Sequence, residues 1–169
     1  MKKLFILSSV LLLSSIFYSC SSDIPDDLPD NINANAEKSF TIIAAAGSET
    51  SQNVTFTIDD FDALKDYKKY IKSGVIQISS YIEVKGVAGD VELTNVKLSM
   101  SRDSKKYIDL QDINSNKKHQ ELPQLTFLQF IIDEIATRDS STIKLEYKSN
   151  SNITSPVTIT IYLNSRFNL

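Results

Sequence analysis

The strongest constraint on this chain is a period of two. From Ser39 onward, apolar side chains repeatedly fall on every second residue, as in Val157, Ile159, Ile161 and Leu163. A strand sends successive side chains to opposite faces, so this pattern marks strands with one face in a core and one in water. Phe40, Ile42 and Ala44 show it, as do Val54, Phe56 and Ile58, and Ile143, Leu145 and Tyr147. Gly47-Ser48-Glu49 joins the first two of these runs, which read as two strands of a hairpin. Val75 to Lys85 is the clearest strand, with Ile76, Ile78, Ile82 and Val84 on one face.

The alternation changes parity once. Val91 and Leu93 lie on one face, then Val96, Leu98 and Met100 on the other. Such a switch implies a bulge near Thr94-Asn95 or a strand crossing between sheets. The polar connection 101–122 holds one further short strand at Tyr107 to Leu110. Two stretches have a helical pattern. Asp59-Asp60 starts one that runs to about Lys72 and stops at Gly74, and Pro123 opens another that runs to about Arg138. No repeat of 20 to 50 residues recurs.

These elements predict a mainly β fold: an antiparallel, immunoglobulin-like β-sandwich of about seven strands with two helical crossovers. An α+β sheet with both helices on one face is the alternative. Phe56, Ile78, Ile82, Leu128, Leu145 and Ile159 are expected to share the core.

Chemistry-bearing motifs are few. His119 is the only histidine and follows Lys117-Lys118; without a second ligand at metal spacing it makes neither a zinc site nor a nucleophile–base pair. It reads as a solvated loop residue. Four isolated glycines build no phosphate loop, and Asp59, Asp60 and Asp62 serve a helix start better than a cation. No catalytic residue, metal or cofactor is therefore expected, and the domain reads as non-enzymatic. The alternative, a hydrolase of surface polymers, needs a carboxylate pair that the sequence does not display.

Two surface features remain. On the first helix Lys65, Lys68, Lys69 and Lys72 fall within an arc of about 100°, beside a buried stripe of Leu64, Tyr67 and Ile71. On the second, Phe130 lies outside the apolar side formed by Leu125, Phe127, Leu128, Ile131, Ile132 and Ile135. With the connection 101–122, these residues form the candidate partner surface. The absence of Trp weakens a carbohydrate reading, although seven Tyr are present.

The first two dozen residues are of another kind. Lys2 and Lys3 precede an apolar run from Leu4 to Phe17, and Ser19-Cys20-Ser21-Ser22-Asp23 closes the segment. A charged head, a short apolar run and a small-residue exit mark a secretory signal, and the run is shorter than the roughly 20 residues of a membrane span. Phe17-Tyr18-Ser19-Cys20 resembles a bacterial lipoprotein signal, and the acids behind it (Asp23, Asp26, Asp27) are similar to those of Bacteroidota surface lipoproteins. The resemblance implies cleavage before Cys20, with diacylglycerol and an N-acyl chain on Cys20 as the only attached groups. It implies an outer-membrane, lipid-anchored protein facing the cell surface, with the periplasmic face as the alternative.

The expected organisation is thus a signal peptide at 1–19, a lipidated cysteine and flexible stalk at 20–38, and one globular domain at 39–169. Losing Lys2 and Lys3 takes the formal charge from −3 to −5, which speaks against nucleic acid as a partner. The expected partners are the membrane, through the anchor, and a macromolecule of the cell envelope.

Overall fold

A computed structural model describes residues 27–169, so the leader, Cys20 and the first part of the stalk lie outside the described residues. The domain is an antiparallel β-sandwich. One sheet has the order β1 (Asn31–Ala44), β9 (Ile153–Asn168), β4 (Tyr81–Lys85), β7 (Lys117–His119), with β3 (Ser73–Ile76) also paired to β9. The other has the order β2 (Glu49–Thr57), β8 (Ser140–Ser149), β5 (Leu93–Met100), β6 (Tyr107–Ile113). Between β7 and β8 stands helix α1 (Leu122–Arg138). Apolar alternation sets the inward faces, and Phe40, Phe56, Phe61, Phe127 and Phe167 fill the space between the sheets.

Within the sandwich class the wiring is that of a jelly roll. Apart from β3–β4 and the β5–β6 hairpin, every connection crosses from one sheet to the other. An immunoglobulin sheet instead pairs the first two strands of the chain. Here β1 runs against β9 and β2 against β8, so the expected hairpin through Gly47 is an arch between sheets. Both readings need the same turn and the same alternation. Only the distant partners distinguish them.

Four further expectations are corrected. The stalk was expected to reach residue 38, but β1 begins at Asn31 and pairs with β9 from its first residue. Its inward residues there, Ala34 and Ala36, are too small to mark a strand by hydrophobicity, and its outward ones are asparagines. The strand from Val75 to Lys85 is broken: Ile76 faces Ser165 while Tyr81 faces Tyr162, so β3 and β4 are separated by a loop two residues longer than the stretch of β9 beside it. An even insertion preserves parity, which is why Ile82 and Val84 are still buried, but Ile78 at the loop is 79% exposed. Ile78 is therefore not core, whereas Phe56, Ile82, Leu128, Leu145 and Ile159 are.

The first predicted helix is the third correction. Residues 58–70 form three short 3-10 turns, and the amides of Phe61, Leu64, Tyr67 and Tyr70 each bond the carbonyl three residues back. The buried residues Ile58, Phe61 and Leu64 recur every third position, which is the 3-10 period. Asp60 turns its carboxylate onto the amide and hydroxyl of Thr57, a capping contact that opens the first of these turns. Fourth, the connection 101–122 holds two strands rather than one: the expected strand at Tyr107 to Leu110 extends to Ile113 as β6, and β7 follows it.

The parity switch in β5 is a bulge, as the pattern required. Register shifts between Leu93 and Val96, and Asn95 adopts φ 54°, a left-handed conformation that asparagine tolerates.

Candidate functional site

Both sequence-predicted surfaces lie at one end of the sandwich, the end where β1 begins. There the Leu169 amide bonds the Asp30 carbonyl, the Lys72 amide bonds Asn168, and the Ile58 amide bonds Asp139 behind α1. The β5–β6 turn closes the same end, its Ser101 amide bonded to the Thr142 carbonyl.

The lysines do not form a stripe, because the arc drawn for them belongs to an α-helix that is absent. Each has local work. Lys65 pairs with Asp62 at 2.6 Å, Lys68 pairs with Asp59, and Lys69 sits 4.8 Å from the Tyr70 ring centroid. Lys72 donates to the Leu169 backbone oxygen at 2.8 Å, fastening this segment to the end of β9. The hydrogen bond that Lys65 donates to Asp62, with the charge of that carboxylate, holds the pKa of its ammonium above the ordinary value.

Phe130 is half-buried on the outer side of α1. It floors a shallow cleft of about 260 Å³ between the helix and the β5–β6 turn, lined by Met100, Arg102, Lys106, Asp133 and Arg138. Lys106 Nζ stands 4.9 Å from the Phe130 ring centroid, close enough for a cation–π attraction of about 0.5–1 kcal/mol. None of the four predicted lysines lines this cleft, so the structure does not bring the two candidate surfaces together. Lys106 was missed because the helical pattern places Phe130 but says nothing of the turn that meets it.

His119 is a correction: it is 7% exposed, on β7 opposite Ile82, and faces inward rather than into solvent. Burial, and then the charge of Lys117, depress its pKa below the ordinary 6.5, with Glu121 opposing. It lines a cleft of about 190 Å³ with Asp112, Asn114 and Lys117. A three-residue strand is too short for alternation to reveal its inward face.

The two outer faces differ. The β1–β9–β4–β7 face centres on Tyr81 and Tyr162, stacked at 5.0 Å, with Lys118 Nζ 3.8 Å from the Tyr81 ring centroid. The other carries charges that pair along and across strands, including Lys144–Glu146 at 2.7 Å and Lys148–Glu49 at 3.9 Å. Its shallow cleft of about 370 Å³ includes Asn95 of the bulge. Among the described residues, no three His, Cys, Asp or Glu side chains are grouped to hold a metal ion. No helix among them is long and apolar enough to cross a membrane.

No family model matches the sequence, and no curated relative was found. One similar solved structure is a crystal structure of a decameric BFDV capsid protein, with 11% identity over 82% of this chain and 99% of that chain. Its TM-score of 0.39 is too low to carry a functional argument.

Proposed function

We propose that this protein is exported, cut before Cys20 and lipidated there, and that its sandwich is a non-enzymatic binding module at the outer surface of the cell envelope. The observation that supports this most is the order of features: a charged and apolar leader, one cysteine, then a fold that starts at once. Eleven positions separate Cys20 from Asn31, a span of at most about 40 Å when fully extended. Two or three acyl chains hold a protein firmly where one is marginal, since each buried methylene contributes about 0.8 kcal/mol. The tether is thus shorter than the sequence pattern suggested, and the sandwich end bearing Phe130 is the one nearest the lipid.

Phe130, with Lys106 above its ring, is the surface proposed for partner contact. The four lysines are proposed as structural, given their local partners. The test is fractionation of cells producing the full chain or its Cys20→Ala variant. Wild type is expected in the outer-membrane fraction and digestible by protease added to intact cells. Cys20→Ala is expected to be released, or retained as precursor. Membrane association unchanged by the substitution overturns the anchor.

A further inference from the structure

A sheet edge is a row of unpaired amides and carbonyls, and proteins usually blunt it. Besides β3, whose free side is met by Gln129 of α1, the described residues form four sheet edges, and three are blunted. The β1 edge has a register break between Ile42 and Ala44, and the 3-10 segment packs against the strand, with Lys38 reaching Asp60. The β6 edge has two register breaks, Gln111 at φ 62°, and the acids Asp109 and Asp112. The β7 edge is three residues long. The β2 edge has none of these devices. It runs for nine residues in unbroken register with β8, with no Pro, Gly or Lys, and its sole charge, Glu49, stands at one end.

The phase of this edge follows from three hydrogen bonds. Ser149 donates its amide to the Ser48 carbonyl, and Ile58 donates its amide to the Asp139 carbonyl, so even-numbered residues bond toward β8. Thr57 turns its amide the other way, onto Asp60. The N–H and C=O groups of Ser51, Asn53 and Thr55 therefore point outward, away from β8.

We propose that β2 pairs antiparallel with β2 of a second copy of this chain, about a two-fold axis at Asn53. That register sets Asn53 against Asn53 and Ser51 against Thr55, each pair exchanging two hydrogen bonds. Glu49 falls opposite Thr57, so no like charges oppose each other within the strand pair. The self-match is the reason for choosing a second copy over an unrelated extended segment. Sheet β2–β8–β5–β6 would continue across the two molecules, and an isologous contact closes without leaving a further β2 edge.

The test is sedimentation of the full chain across a wide concentration range, with Asn53→Pro and Asn53→Lys. Proline removes an N–H that only the partner uses, and lysine sets two like charges at the axis beside Lys144, which lies opposite Asn53 on β8. Wild type is expected to pass from one mass to twice that mass, and both variants to weaken self-association at least about tenfold with unchanged circular dichroism and melting. Asn53→Cys is expected to give a disulfide-linked dimer on oxidation, well above the background from Cys20 alone, whereas Asn150→Cys at the β8–β9 turn is not. A wild type that stays monomeric at all concentrations overturns the proposal. So does a dimer that both Asn53 variants leave intact, or a β2 edge that captures an unrelated extended peptide while the chain does not self-associate.

Discussion

Two of the segments that cross between sheets also carry the candidate surfaces, and they solve the crossing differently. α1 follows β7 and buries Phe127, Leu128, Ile131, Ile132 and Ile135, a spacing of three and four that keeps one broad side against the core. The segment 58–70 follows β2 and buries Ile58, Phe61 and Leu64 at a spacing of three only, and it is made of 3-10 turns. The difference decides what their polar residues mean. On α1 the outward positions form a true helical face, so Phe130 stands where the helical period puts it. On 58–70 the residues are laid out along the chain, and each lysine finds its own neighbour. A charge run is a surface only if the backbone beneath it has the assumed period.

The largest expected effect separates the two as structural elements. Ile132 is fully buried, and a Cβ added at Gly74 of β3 would come within 2.5 Å of its Cγ2, so α1 and β3 are in tight contact there. Ile132→Asp buries an unpaired charge, which costs several kcal/mol against a total of about 5–15, and the chain should lose its cooperative melting transition. Retention of that transition would mean α1 is dispensable. Phe61→Ala probes the other crossing. It removes a buried ring that meets Phe167 edge-on at 5.3 Å, and a loss of about 3–5 kcal/mol is expected in chemical denaturation. A loss under about 1 kcal/mol would show that the 3-10 segment is not docked as described.

A smaller effect is expected at Asp60. Burial pushes its carboxyl up, but Lys38 and the Thr57 amide and hydroxyl outweigh it, so it titrates below 3.8. Its contribution is full above the unfolded value and is lost as pH falls through the folded one. Asp60→Asn should cost about 1 kcal/mol at neutral pH, and less as pH falls below about 4. His119 acts in a higher window. Its depressed pKa means that folding favours the neutral ring, so stability should decline as pH drops below about 6.5, and His119→Leu should flatten that decline in melting experiments. The surfaces give the smallest stability effects: Phe130→Ala, losing a half-buried ring, should cost about 1 kcal/mol, and Lys68→Glu should leave melting nearly unchanged. Capture of an envelope partner should fall with the first and not with the second.

Much of the sandwich was legible locally, because one-sided burial writes a period of two into β8 and β9, and a parity switch writes the bulge at Asn95. α1 was legible to within a residue of its start, since its apolar side and Pro123 agree. What local sequence could not show was pairing: an arch and a hairpin through Gly47 use the same residues. Ile78 obeys the alternation and is exposed, because a two-residue insertion leaves parity intact on either side of it. The strand at 31–38 was hidden by alanines doing the work of larger apolar residues. The candidate site was half legible. Phe130 could be placed, but Lys106 and the inward turn of His119 depend on contacts that no local period records.

The central claim is the anchor, and the most direct measurement is the intact mass of the protein purified from membranes. The account predicts a chain that begins at Cys20 and carries a diacylglycerol and an N-acyl group there. A chain that retains Met1, or one cleaved elsewhere with an unmodified Cys20, would contradict it.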